Sequence, residues 1–167
     1  MMKGWDHTVS RALFFWAKST GWSRFFAILL ARWWIFLLGV AVVAVALSGV
    51  KKIELLVLAL IFGWGLNLLF GKLRTRKRPY TTHGYNALIP TWLLGGSFPS
   101  DHAMMSAVFG SLLILAGGVW IWVGIVLVVG VMVGRVMVGV HYPSDVLIGA
   151  CIGFLSVYVA SFLIFLF

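Results

Sequence analysis

Acidic residues are almost missing from this chain. Its 167 residues hold four Asp and Glu against thirteen Lys and Arg, a formal charge of +9. Charged residues make up only 10% of the composition and hydrophobic ones 62%. So few polar groups cannot cover the exterior of a water-soluble fold, which excludes a soluble globular domain and makes the bilayer the natural solvent. A nucleic-acid-binding module is excluded too, because no soluble basic domain is present to carry the charge. The surplus of cations suits anionic headgroups or phosphate instead. Cysteine is scarcer still: Cys151 stands alone in an apolar run, so an intrachain disulfide is excluded. No cleaved signal is expected, since Asp6, Arg11 and Lys18 interrupt any apolar stretch near the N-terminus.

What is abundant is uninterrupted apolar sequence. Residues 33–50 carry no charge and read as a first membrane span. A second runs over about 55–70, with Asn67 as its one strongly polar member, read as a packing group. Residues 103–134 are uncharged but too long for one span, and Gly117-Gly118 divides them into two helices joined by a tight turn. Residues 146–167 give the last span. Before them all, residues 1–32 alternate aromatics with Lys3, Arg11, Lys18, Arg24 and Arg32, the pattern of a helix at the lipid surface or partly inserted in it. The expected architecture is all-α: one domain over 1–167, with 1–32 as an N-terminal interfacial region. Residues 33–167 form a multi-pass transmembrane helical bundle of about five spans.

Span counting makes a geometric statement. The second span leads into Lys72, Arg74, Arg76, Lys77, Arg78 and Pro79, followed by a loop over 80–98. The third begins at Pro99-Ser100, the fourth ends near Arg135 and the fifth starts near Pro143. All three polar stretches therefore meet on one face of the membrane. After Pro79 the chain has six Asp, Glu, Lys, Arg or His residues, and all but His83 lie in two of these stretches: Asp101, His102, Arg135, His141 and Asp145. Such economy points to chemistry.

Pro-Ser-Asp occurs twice before an apolar helix, a helix-start pattern with Ser as N-cap and an acid in the first turn. Free amides at such a terminus form an anion site, so Ser100 is a candidate phosphate contact. His141 and Asp145 are four residues apart across Pro143, a spacing at which the carboxylate can accept a proton from one ring nitrogen and leave the other free to attack. Arg135 lies roughly 9 Å back along a helix, and its guanidinium can grip the same phosphate as a two-pronged fork. The basic cluster also fits a headgroup-binding or topology-setting loop. Arg78 is favoured for the site because Pro79 stiffens the backbone beside it.

These residues have a resemblance. Lys72-x5-Arg78-Pro79, Pro99-Ser100-Asp101-His102 and Arg135-x5-His141-x3-Asp145 resemble the three signatures of the type 2 phosphatidic acid phosphatase superfamily, membrane phosphatases related in active site to the vanadium haloperoxidases. The resemblance spans about residues 55–160 and is strongest to bacterial undecaprenyl-diphosphatases of the bacitracin-resistance type. Three positions depart from the pattern. Gly134 stands where Ser is usual, and Asp101 where Gly is commoner. Lys72 lies five residues before Arg78 instead of six, so that Arg74 is an alternative cation. Asp101 also sets an acid beside the expected anion, which calls for it to be protonated or turned outward.

The resemblance implies a membrane hydrolase that needs no metal or other cofactor. It makes His141 the nucleophile, oriented by Asp145 and forming a phosphohistidine, with His102 protonating the leaving group and then aiding water. Lys72, Arg78, Ser100 and Arg135 would hold phosphate oxygens, with Asp101 beside them. The implied partners are an isoprenoid or glycerolipid phosphate and the surrounding lipids, in the cell membrane with the active site on the extracytoplasmic face. The spread of Lys and Arg argues weakly for the other face. Oligomeric state is left open. So are a lipid monophosphate substrate, a haem-binding carrier using His102 and His141, and a headgroup-binding scaffold.

Overall fold

The computed structural model describes residues 3–91 and 96–166, with Lys3 known in its backbone alone. Among the described residues all regular structure is helical. Helix α1 (Lys3–Ser19) is followed by Thr20, whose side chain accepts from Ser23 N while the Ser23 side chain answers Thr20 N, and this reciprocal cap starts α2 (Gly21–Ile28). A π-turn (Leu29–Trp33) carries α2 without a break into α3 (Trp34–Ala46), so that Gly21–Ala46 is one apolar helix of 26 residues. Then come α4 (Val50–Leu73), the single-turn α5 (Pro79–His83), α6 (Asp101–Ala116), α7 (Val119–Met137) and α8 (Pro143–Leu166).

Four of these stretches, Gly21–Ala46, α4, α7 and α8, are long and apolar enough to cross a membrane. Helix α6, at 16 residues, spans only about 24 Å. It sits at the centre, packed against α3, α4, α7 and α8, and is short because its first residue already belongs to the polar end. Leu38, Val42, Ala59, Met104, Val108, Leu113, Val128 and Ile152 form the core. Outward-facing Val40, Trp122, Tyr158 and Phe165 leave the outside as apolar as the inside, the mark of a bundle solvated by lipid. Small residues set the spacing: Gly149 lets α8 close on the Ser100 carbonyl, and Gly153 on that of Met104. The Gly117-Gly118 turn forms as expected, with both residues at positive φ.

The multi-pass bundle of about five spans is the observed fold. Three boundaries differ from expectation, and the simplest is α4, which runs Val50–Leu73 where a span over about 55–70 was expected. The first spanning helix begins at Gly21 and not near 33, so only α1 remains of the interfacial segment expected over 1–32. Arg24 and Arg32 did not end the helix because long cationic side chains reach outward while their stems lie on apolar surface. Both are exposed. The loop expected over 80–98 contains the end of α5. Tyr80 N donates to Gly139 O at 3.2 Å and Leu88 N to Val138 O at 3.1 Å, tying this segment to the α7–α8 connection. Residues 92–95 of that loop lie outside the described residues.

Candidate active site

The polar end is assembled from five chain segments. After α4 the backbone turns extended at Arg74, and Arg78 takes up the N-cap of α5 with Pro79 in the first turn. Ser97 N donates to Arg76 O at 2.8 Å, which lays the approach to α6 against the basic segment. Ser100 caps α6 by accepting from Ala103 N at 3.4 Å. Arg135 closes the last turn of α7, and the chain reverses through Gly139 (φ 82°) to deliver His141 and Tyr142 just ahead of α8.

These segments enclose a cavity of about 300 Å³. Its walls carry Arg78, Asp101, His102, Arg135 and His141, together with Arg32 and the apolar Ile35, Phe36 and Ile89. Five of the eight residues singled out from the sequence thus face one space. Ser100 and Asp145 are fully buried and engaged in caps. Lys72, in the last turn of α4, is exposed and outside the cavity lining.

His141 Nδ1 lies 2.7 Å from the carbonyl of Ser97. A carbonyl can only accept, so Nδ1 carries the proton and Nε2 keeps its lone pair. Burial pushes the His141 pKa well below the ordinary imidazole value, Arg135 and Arg78 push the same way, and the Ser97 carbonyl offsets part of this. The ring is therefore neutral at physiological pH. This replaces the bond expected between His141 and Asp145. Asp145 lies in the first turn of α8 and folds back to accept from Tyr142 N at 2.8 Å, while its other oxygen accepts from Arg76 Nη1 at 2.8 Å. The carboxylate holds the loop that carries His141, and Ser97 orients the ring.

The cations are fixed in different ways. Arg78 Nη1 donates to Val140 O at 3.4 Å, and burial lowers its pKa against the opposing pull of Tyr80, Asp101 and Asp145, though a guanidinium stays charged. Arg135 is 7% exposed; its Nη1 lies 3.4 Å from Ala31 O, and its Nε is buried with no hydrogen-bond partner among the described residues. A buried orphan donor on a cation beside a cavity calls for an anion. Asp101 lines the same cavity as Arg78 and Arg135 and accepts from Asn67 Nδ2 at 2.6 Å. Asn67 is thus an active-site neighbour, not the packing group expected from its place in an apolar helix.

Two further residues escaped the sequence reading. Arg76, assigned there to the headgroup cluster, donates to Asp145, to Ser144 Oγ at 2.8 Å and to Asp6 Oδ2 at 3.0 Å, and its guanidinium lies 3.7 Å over the Tyr142 ring. Asp6, 1% exposed, accepts from Ser144 N at 3.0 Å and from Ser144 Oγ. The rarity of acids in this chain was the available signal for Asp6. Its partners lie far away in sequence and could not be read.

A family model described as the PAP2 superfamily matches residues 53–166. The chain is 33% identical over 132 residues to "bacitracin transport permease protein BcrC" of Bacillus licheniformis, covering 76% of this chain and 64% of that one. It is 40% identical over 87 residues to an "undecaprenyl-diphosphatase" of Sulfolobus acidocaldarius, covering 46% and 42%. The matches thus span less than two thirds of these relatives' own lengths. Among solved structures, the fold is similar to a PAP2 type phosphatidylglycerolphosphate phosphatase from Bacillus subtilis, with TM-score 0.71, 23% identity, and coverage of 93% of this chain and 82% of that one. It is also similar to Aquifex aeolicus LpxE, with TM-score 0.62, 23% identity, and coverage of 82% and 81%.

Proposed function

This chain belongs to the PAP2 superfamily, and from that premise we propose that it is a lipid phosphatase that converts undecaprenyl diphosphate to undecaprenyl phosphate through a phosphohistidine. The carrying observation is the cavity that joins a neutral, carbonyl-anchored His141 to His102, Arg78 and Arg135. His141 Nε2 attacks the terminal phosphorus, the P–N bond forms, and the anhydride P–O bond breaks with its electron pair on the departing lipid phosphate. His102 supplies a proton to that oxygen or takes one from the water that then cleaves the P–N bond. Inorganic phosphate leaves and the imidazole is restored. Arg135 and Arg78 hold the transferred oxygens, since phosphoryl transfer depends mostly on placement and charge stabilisation.

Substrate choice is supported by the 40% identical relative, which is named for this reaction. Neighbours at 23% identity speak for the fold alone. No step calls for a metal, and the active face is taken as extracytoplasmic, following the sequence resemblance. The test is phosphate release from isoprenyl diphosphates by the purified protein in EDTA-containing micelles, beside phosphatidylglycerophosphate as the competing substrate. The expected result is turnover of the diphosphate that His141→Ala abolishes. Full activity in that variant, or a requirement for added metal, defeats the proposal.

A further inference from the structure

One wall of the cavity comes from a helix outside the three motifs. Ala31, Arg32, Ile35 and Phe36 line it beside Arg78, His102, Arg135 and His141. Its register is set by the π-turn, closed by Trp34 N–H on Leu29 O. A Cβ at Gly134 would fall 2.5 Å from Ala31 N and 2.6 Å from the Leu30 carbonyl carbon, so only glycine lets α7 press onto this turn. Across that contact Arg135 reaches the Ala31 carbonyl. The residue holding the buried arginine is thus the chain neighbour of Arg32, which places Arg32 one residue from the Arg135 contact.

Exposure then orders the groups. His141 is 4% exposed and Arg135 7%, whereas Arg32 is exposed, its guanidinium 5.5 Å over the Trp33 ring. His141 and Arg135 make the floor and Arg32 the mouth. Three and four residues further along the same helix, Ile35 and Phe36 share its face, and Phe36 is 62% exposed toward lipid. From floor to bilayer the order is nucleophile, cation, apolar surface. A lipid monophosphate with its phosphorus at His141 has only an ester oxygen and hydrocarbon beyond it. A lipid diphosphate has a second anionic phosphate in that place.

We propose that Arg32 binds the non-transferred phosphate of a lipid diphosphate and is the residue that sets the preference for diphosphate over monophosphate substrates. The proposal rests on the phosphatase reading above. As the anhydride bond breaks, negative charge gathers on the bridging oxygen of the departing lipid phosphate, and a guanidinium at the mouth stabilises that charge where it develops.

The experiment has two arms, run on the wild-type chain, Arg32→Gln and Arg32→Lys in the same micelles. In the first, kcat/KM is measured for farnesyl diphosphate and farnesyl phosphate. Arg32→Gln should lower the diphosphate-to-monophosphate ratio by about ten- to a hundredfold, the range of a hydrogen bond to a charged group, and Arg32→Lys should recover part of it. A cation that merely anchors the helix at the membrane surface would depress both substrates alike, leaving the ratio unchanged and overturning the proposal. The second arm titrates farnesyl methylene-diphosphonate and farnesyl phosphonate as non-hydrolysed probes. Selective loss of diphosphonate affinity in Arg32→Gln supports the assignment even where turnover is absent, a result that would defeat the phosphatase reading alone. Equal affinity changes for both probes defeat the assignment of Arg32.

Discussion

His141 is a buried imidazole whose outer nitrogen, in the proposed mechanism, must stay unprotonated to attack, and its surroundings push protonation down. Two consequences follow at the scale of this residue. The folded protein binds fewer protons here than the unfolded chain does. The stability this contributes is therefore fully present above about pH 6.5 and declines as pH falls below it, toward the folded value. By the same shift, the acid limb of kcat/KM owed to the nucleophile should lie below about 6.5. Unfolding midpoints of wild type and His141→Asn between pH 7.5 and 4.5 should diverge at the neutral end and converge on acidification. A limb at or above the ordinary imidazole value would mean that the site does not keep this ring neutral.

At the scale of elements, the decisive contact is between α7 and the π-turn. Ser is usual where this chain has Gly134, and the reason for the departure is steric: the Leu30–Ala31 backbone occupies the place a Cβ would take. Gly134→Ala should cost about 1–3 kcal/mol by overpacking and should lower activity further by shifting the carbonyl that holds Arg135. Gly65→Ala is the control, since a Cβ there meets nothing within 4 Å. It should be neutral or stabilise by roughly 0.5–1 kcal/mol, as expected for replacing glycine in a helix. Equal behaviour of the two variants, by denaturation and by turnover, would sink this account of the wall. The same contact shows why some of the site was legible and some was not. His102, Arg135 and His141 sit at helix ends in short polar runs, and counting spans brings such runs to one face. Arg32 and Asn67 lie inside apolar helices, where a lone polar residue reads as snorkelling or packing. Their meaning comes from Ala31 meeting Arg135 and from Asn67 meeting Asp101, contacts that no periodicity encodes.

For the molecule as a whole, α1 is a keystone of the polar end and not a loose surface helix. Asp6 bonds Ser144 and Arg76, and Arg76 in turn bonds Asp145, so the first helix reaches the support of the loop that carries His141 through two side chains. Asp6→Ala leaves Ser144 N–H without its acceptor and removes one of the two carboxylates facing a mostly buried guanidinium. Breaking such a pair should cost roughly 3–5 kcal/mol. The expected outcome is a matching loss in chemical denaturation, with a fall in turnover that Asp6→Glu restores in part. Unchanged stability and turnover would return α1 to the passive role its basic, aromatic sequence suggested.

That connection also has a consequence in time. Asp6 and Ser144 are 138 residues apart. At a synthesis rate of roughly 5–20 residues per second, the aspartate emerges many seconds before its partner exists. Every spanning helix before α8 can be laid into the bilayer while the carboxylate waits at the surface, hydrated. The machinery is then completed in one late event, when the start of α8 arrives and the earliest helix closes over it. A nascent chain stopped between residues 141 and 143 therefore holds Arg78, Arg135 and His141 without their brace. On the proposed function, newly made protein should be catalytically silent until the start of α8 is in place.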